Sequence, residues 1–557
     1  MFTMDSLVFL AIAVAILFAA VQRGGDGVRT MSEKTHRAIC GAAIAAGVLV
    51  RLARLTSLPA GISAEEALVG VQAKALWQTG GFLFGQGLTT QLSQWAGETT
   101  GPLLAVLTAP FVGLFGMSKL TVRLPLALLS CAAMPAAYGL GEALSGRRAA
   151  RWMLLIAALC PIFVLEARMT CGSCAALYLL PIALCLIARG VTKPAALYPG
   201  MIVLALTAYA QDMYFFIAPA AILACAIIAL IFGRRKRHAV ISGTIGLLLC
   251  VPAMLTAFVN LTGAEGMTLL GLIRIPRLVG FEKAFMAENW SVGDKLWAVL
   301  IGGVFQVLRH ENIHQAMYTP DGMLALFMFS LPLMVLGALA LFARWTDGRR
   351  AAREKAAARA MVAATCAVTL AALVMFGSVG TLNTNGTTGL FDHSALILFD
   401  AVLMTAGLCT IERKNLRCAA AMGALMAVNF AWLAVQLFGG SYQANANVYF
   451  PGFEQMAARA AEIQAETGEK INVTGNVYPH IQPSDGAEMM FLYATDADMR
   501  TAEAERGTRY ETIYVSDDMQ PEADQIYLAR TDEISNWDLE GFDYEESEGY
   551  ALIYPAR

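Results

Sequence analysis

Charged side chains are scarce in this chain: Asp, Glu, Lys and Arg make up only 15% of its 557 residues. With 57% hydrophobic residues and a mean hydropathy of +0.56, that scarcity excludes an ordinary soluble globular protein, in which about a quarter of residues are charged. A GxxxxGK[ST] phosphate loop is lacking, so nucleotide hydrolysis is not indicated. A net charge of −3 offers no footing for nucleic acid, and none is expected as a partner. None of the 11 cysteines lies beyond Cys418, so no disulfide framework can be read. The first apolar run, 4–22, carries Asp5 and no preceding basic residue; it lacks the charged leader of a cleaved signal and is expected to be a transmembrane helix.

What is present is a succession of apolar runs. Spans need about 20 residues each, and the candidates after the first are 38–55, 123–143, 152–168, 172–188, 196–210, 213–233, 239–258, 323–343, 360–378, 390–410 and 418–437, giving a polytopic α-helical membrane protein of about a dozen spans. Basic clusters at Arg23 to Arg37, Arg147/Arg148/Arg151, Arg234 to Arg237, Arg349 to Arg359 and Arg413/Lys414/Arg417 mark the cytoplasmic side. The outward group is then the first loop 56–100, the turns near 166–171, 211–214 and 380–389, the long loop 259–322, and the tail. Segment 101–117 breaks the alternation and is expected to lie partly in the membrane, or the span count to be off by one.

Residues 441–557 differ in character, with 23 acidic against 7 basic side chains. Short strands are expected at Lys470 to Val473, Thr512 to Val515 and Gln525 to Leu528, with helices over 452–467 and 486–495. Residues 1–440 therefore read as a membrane domain and 441–557 as a small acidic α/β domain outside the membrane.

Two adjacent carboxylates on the first outer loop, in Gly61-Ile62-Ser63-Ala64-Glu65-Glu66-Ala67, are costly beside lipid and point to chemistry. Ser63 and Glu66 also have capping-box spacing, which supplies a structural role for Glu66; Glu65 then falls in the first turn with no local partner. Leu68, Val71, Ala75, Leu76 and Trp77 make the following helix amphipathic, suited to the interface. Other outward polar residues are candidates for the same cavity. Arg168 either pairs with Glu166 or contacts a phosphate. Asp212, Arg274, Arg277, His310, His314 and Tyr318 either line a site or are solvated loop positions. His310 and His314 lie one helical turn apart beside Glu311, which leaves a divalent cation open while spacing fixes no third ligand. Cys171 and Cys174 have CxxC spacing but open an apolar helix among small residues that favour helix packing.

The motif around Glu65, then Ala75-Leu76-Trp77-Gln78-Thr79-Gly80, Leu114-Phe115-Gly116-Met117-Ser118, Arg123-Leu124-Pro125, Cys160-Pro161 and Glu166-Ala167-Arg168 together resemble polytopic lipid-phosphate-dependent glycosyltransferases of the GT-C fold. The similarity, over residues 38–190, is to the branch of protein O-mannosyltransferases and the aminoarabinose transferase of lipid A, glycosyltransferase family 39-like. The resemblance implies an inverting transfer from a polyprenyl-phosphate sugar to an envelope acceptor (glycan, lipid or protein) at the outer face of the cell membrane. Glu65 would be the base, Glu66 would match the family glutamate, and cations would hold the phosphate. The outer turn Asn383-Thr384-Asn385-Gly386 resembles a family turn that places Asn383 and Asn385 at the site. The chain departs from the family in having Glu-Glu for Asp-Glu, Met169 to Cys174 where a second carboxylate is usual, and Gly386 where an arginine is common. Two other readings stay open: a transporter or flippase of a lipid-linked or polar substrate, and a catalytically inactive GT-C-like scaffold.

Overall fold

The computed structural model describes residues 4–22, 31–83, 87–93, 99–170, 174–211, 213–277, 291, 293–294, 325–346, 353–376, 394–439, 450–475, 485–516 and 519–556. Its helices in chain order are α1 Met4–Gln22, α2 Glu33–Leu52, α3 Ala64–Thr79, α4 Leu103–Phe115, α5 Lys119–Ser145, α6 Arg147–Leu159, α7 Pro161–Leu165, α8 Cys174–Gly190, α9 Leu197–Leu206, α10 Tyr214–Phe232, α11 Lys236–Thr262, α12 Ser330–Thr346, α13 Arg353–Phe376, α14 Ser394–Lys414, α15 Leu416–Phe438, α16 Pro451–Thr467, α17 Asp485–Ala494 and α18 Ala502–Glu505. Among the described residues, α2, α5, α10, α11, α13 and α15 are long and apolar enough to cross a membrane, or seven spans if the α6–α7 pair counts as one. The sequence suggests a dozen. Much of the difference lies in apolar runs of which 10–17 residues are described as helix, at about 1.5 Å per residue.

The run expected as a span over 152–168 is bent by 60°. Pro161 follows Cys160, whose ψ of 134° is extended. Proline has no N–H to donate and its ring disfavours helical backbone in the preceding residue, so the helix ends and restarts. Segment 101–117 holds α4, only 13 residues long, which lies along α3 and α5. A Cβ on Gly113 would come within 2.1 Å of the Trp77 ring, so glycine there lets the indole lie flat on α4.

The described strands begin with β1 Leu88–Thr89, β2 Leu92–Ser93, β3 Thr99–Thr100, β4 Met267–Leu269 and β5 Ile273–Ile275; in the tail, β6 Lys470–Thr474, β7 Tyr510–Ile513, β8 Gln525–Arg530, β9 Phe542–Ser547 and β10 Tyr550–Pro555 form one sheet in the order β7-β6-β8-β10-β9. The strands expected at Lys470 to Val473 and Gln525 to Leu528 are in it, and the one expected at Thr512 to Val515 lies two residues earlier, at Tyr510–Ile513: β6 runs parallel to both β7 and β8, and the β9–β10 hairpin closes antiparallel onto β8. That hairpin turns through Glu548 and Gly549 at φ 46° and 83°, the positive pair a two-residue type I′ turn needs. The tail is packed onto the membrane part. One apolar cluster joins Leu68 and Val71 of α3, Val112 of α4 and Val122 of α5 with Phe453 of α16 and Met490 and Leu492 of α17. Lys74 pairs with Asp496 at 2.6 Å, Lys119 with Glu454 at 2.7 Å, and the Met499 N–H donates to Gln78 Oε1 at 2.9 Å.

Within the bundle, α12 and α14 touch backbone to backbone. A Cβ on Gly337 would lie 1.9 Å from the Leu403 carbonyl oxygen, and one on Gly407 2.3 Å from that of Leu333. Small residues allow such close approach where dispersion drives association. Gly337→Ala and Gly407→Ala should each lower stability by about 1–3 kcal/mol, the usual cost of overpacking, seen as a drop in detergent Tm. Gly41→Ala, where nothing lies within 4 Å, should leave the Tm unchanged or raise it; equal effects at all three positions would refute the close packing.

Candidate active site

The first loop leaves the C-terminus of α2 and must reach the start of α3 while its backbone polar groups are buried. Three arginines that are almost wholly inaccessible satisfy them. Arg168, in the single 3₁₀ turn Glu166–Arg168 after α7, donates to the carbonyls of Val50 (2.6 Å), Arg51 (3.2 Å), Ala53 (2.9 Å), Arg54 (3.4 Å) and Leu58 (2.9 Å). It thus takes the orphan carbonyls at the end of α2, where a helix carries partial negative charge. Arg51 does the same for α6 and α7, donating to Ala157 (2.7 Å), Ala158 (3.1 Å) and Phe163 (2.7 Å). Arg123, on the first turns of α5, donates to the carbonyls of Leu55 (3.1 Å), Pro59 (3.0 Å) and Gly61 (2.7 Å).

Arg123 also forms a fork on Glu66, Nε to Oε1 and Nη2 to Oε2, both 2.8 Å. Glu66 completes the capping box suggested by Ser63-x-x-Glu66: its Oε2 accepts from Ser63 N–H at 3.3 Å while Ser63 Oγ accepts from Glu66 N–H at 3.2 Å. Oε1 accepts in addition from Thr170 N–H at 3.2 Å. Four donors on two oxygens leave Glu66 no free lone pair for an incoming group, since a carboxylate has about four acceptor sites. Of the two roles its spacing allows, the geometry is that of an anchor.

Glu65 is placed differently. It sits half-buried in the first turn of α3, and its Oε2 is buried with no hydrogen-bond partner among the described residues. Buried polar atoms almost always have partners, so an unsatisfied one in a native fold calls for a reason. Glu166, itself buried and accepting from the Cys174 thiol at 2.9 Å, lies close enough for the two carboxylates to repel each other. This juxtaposition supplies a second carboxylate from before Arg168, where the sequence shows none after it. Gln91, on the same first loop, and Gln211 likewise bury side-chain atoms without a partner among the described residues.

The tail packs onto α3. Tyr493 of α17 packs against Gly70 of α3, and burial, then the charges of Glu454 and Glu66, push its phenol up from its ordinary value. Arg274 and Arg277 are exposed. Strand β5 Ile273–Ile275 pairs in parallel with β1 Leu88–Thr89 and antiparallel with β4 Met267–Leu269, so Arg274 is tied to the first loop through its backbone. The structure therefore gathers Glu65, Glu66 and Arg168 and brings Arg274 to the same loop system. Asp212, His310, His314, Tyr318, Asn383 and Asn385 lie outside the described residues, as does Glu311. Among the described residues no group of three or more His, Cys, Asp or Glu side chains is placed to hold a metal ion. Arg51 and Arg123 were not singled out as site residues from the sequence. The available signal was a charge inside an apolar run, which must find buried partners.

No protein-family model and no curated protein matches the chain. Solved structures do resemble it. ArnT from Cupriavidus metallidurans in the apo state is 13% identical with a TM-score of 0.46 over 94% of this chain and 98% of that one. The same protein bound to undecaprenyl phosphate gives 12% and 0.47 over 92% and 97%. The archaeal oligosaccharyltransferase AglB from Archaeoglobus fulgidus, in complex with an inhibitory peptide and a dolichol-phosphate, gives 12% and 0.45 over 83% of this chain, which spans 63% of that protein's length.

Replacing Arg123 by Met should cost about 3–5 kcal/mol, because it strands the Glu66 charge in a buried site. Glu65→Gln should cost under about 1 kcal/mol, since no described bond is lost. Chemical denaturation in detergent compares the two; similar losses would show that Glu66 and Arg123 do not hold the loop.

Proposed function

We propose that this chain is a membrane glycosyltransferase that moves a sugar from a polyprenyl-phosphate donor to a cell-envelope acceptor with inversion, using Glu65 as the base. The observation that carries the reading is the buried Glu65 Oε2, without a partner among the described residues, beside a fully bonded Glu66. The motif resemblance over residues 38–190 supports it.

In this reading the acceptor's hydroxyl gives its proton to Glu65 as its oxygen attacks the anomeric carbon. The bond from that carbon to the phosphate oxygen breaks, and the lipid phosphate leaves with the electron pair. General-base help of this kind contributes about 10²–10⁴-fold. Glu66 and Arg123 position the base by fixing the start of α3. The five carbonyl bonds of Arg168 give it a share in shaping the loop, and the exposed Arg274 and Arg277 are assigned to the phosphate, a role suited to charge-assisted donors. The tail sheet is assigned to the outer face with the first loop, where it bears on α3 and positions acceptor or partner.

Purified protein supplied with a radiolabelled panel of polyprenyl-phosphate hexoses should release sugar. Glu65→Gln should cut turnover by about 10²-fold or more, the scale of a lost general base, with donor binding retained. Wild-type protein that neither turns over nor binds any donor in the panel would overturn the proposal and move the weight to a transporter or an inactive scaffold.

A further inference from the structure

At the far end of the bundle from Glu65, a groove of about 590 Å³ opens between the ends of α5 and α6 and the faces of α12, α13 and α14. Helix α5 runs 27 residues from the Arg123 end to Leu144 and Ser145 on the groove wall, about 40 Å at 1.5 Å per residue. The volume falls in the range of roughly 300–1,000 Å³ typical of ligand sites. Its walls are apolar, among them Leu341, Ala363, Phe399, Val402 and Ala406.

The polar end is cationic. Arg359 lines the groove and donates to the Leu144 carbonyl at 3.0 Å and Ser145 Oγ at 3.3 Å, so its described bonds neutralise none of its charge. Arg413, one helical turn beyond the groove-lining Cys409 on α14, is close enough to repel it. Lys355, one turn before Arg359 on α13, reaches toward Gly146 beside Ser145. No carboxylate forms an ion pair with any of these three among the described residues. Glu412, next to Arg413, is taken by Arg151 at 2.5 Å and Arg148 at 3.6 Å; Glu354, exposed on the first turn of α13, and Glu142, one turn before Gly146 on α5, are further acids on these elements. A second groove, of about 430 Å³ between α2, α6 and α15, makes the contrast plain: its one cation is Arg151, already held by Glu412.

We propose that the α5/α12/α13/α14 groove binds an anionic glycerophospholipid, its phosphate among Lys355, Arg359 and Arg413 and an acyl chain along the apolar wall. Three like charges gathered at the mouth of an apolar slot are mutually repulsive until an anion joins them. A lipid phosphate supplies that anion with a tail that fits the slot, and each nearby cation adds affinity for an anionic headgroup. The proposal is independent of the transferase reading.

Native mass spectrometry of the full chain, released from micelles after titration with dioleoyl phosphatidylglycerol or dioleoyl phosphatidylcholine, tests it. The anionic lipid should be retained at several-fold lower concentration. Arg359→Gln and Arg413→Gln should each weaken its retention by roughly fivefold; Arg413 is exposed, so that variant keeps the test open if the first misfolds. Ala406→Trp, which fills the groove and keeps every charge, should abolish the preference, and glycerol 3-phosphate should not compete. Equal retention of the two lipids, retention unchanged in the variants, or full competition by glycerol 3-phosphate would overturn it.

Discussion

The pairing of Arg123 with Glu66 carries the rest of the outer end of this molecule. Both side chains are essentially inaccessible, and removing two such charges from water costs several kcal/mol per ion. The cost is offset only because every strong donor and acceptor is used. The guanidinium fork meets the carboxylate side-on, its remaining N–H groups meet loop carbonyls, and the carboxylate takes two backbone N–H groups besides. Through those bonds one pair fixes α5, the loop before α3, the first turn of α3 and the backbone at Thr170. Glu65 is oriented because its neighbour is immobile.

Arg51 and Arg168 extend the same device. Each helix that ends inside the protein leaves carbonyls without an intrahelical partner, and here the ends of α2 and α6 are capped by an arginine from elsewhere in the fold. The exchange is close to mutual: Arg51 of α2 serves α6 and α7, while Arg168, just after α7, serves α2. The break at Cys160-Pro161 is what brings both ends to one place. A straight helix over 152–168 would carry Arg168 away from the loop it holds.

The acidic tail is bound to this assembly by charge and by apolar contact together. Two cations of the first loop region, Lys74 and Lys119, reach tail carboxylates, and Lys119 also donates to the Ala60 carbonyl at 2.7 Å. The shared apolar cluster of α3, α4, α16 and α17 lies behind them. Helix α3 is therefore clamped between the bundle and the tail, and a shift of the tail would be felt at the turn that bears Glu65.

Much of this was legible from local pattern. The apolar runs, the Ser63–Glu66 cap, the helices at 452–467 and 486–495 and the three tail strands rest on interactions between residues one to four apart, which periodicity and capping chemistry report directly. Helix α3 is expected from its sequence to be amphipathic and to lie at a membrane interface; in the structure Glu66 to Ala73 are all buried, and its apolar residues meet α4 and the tail. Burial against protein and burial against lipid leave the same pattern in sequence. Hydropathy likewise does not see the bend at Pro161 or that α4 lies along its neighbours, and among the described residues six or seven of the dozen expected spans are long and apolar enough to cross a membrane. The arginine roles were illegible because their partners are main-chain carbonyls, which every residue carries. Sequence by itself determined the membrane class, the local elements and the loop that bears the carboxylates. Only the tertiary structure decided which glutamate is fully bonded and which keeps an oxygen without a partner among the described residues, because that rests on Arg123, 57 residues from Glu66 in the chain, a separation at which pattern carries no information and packing alone sets the contact.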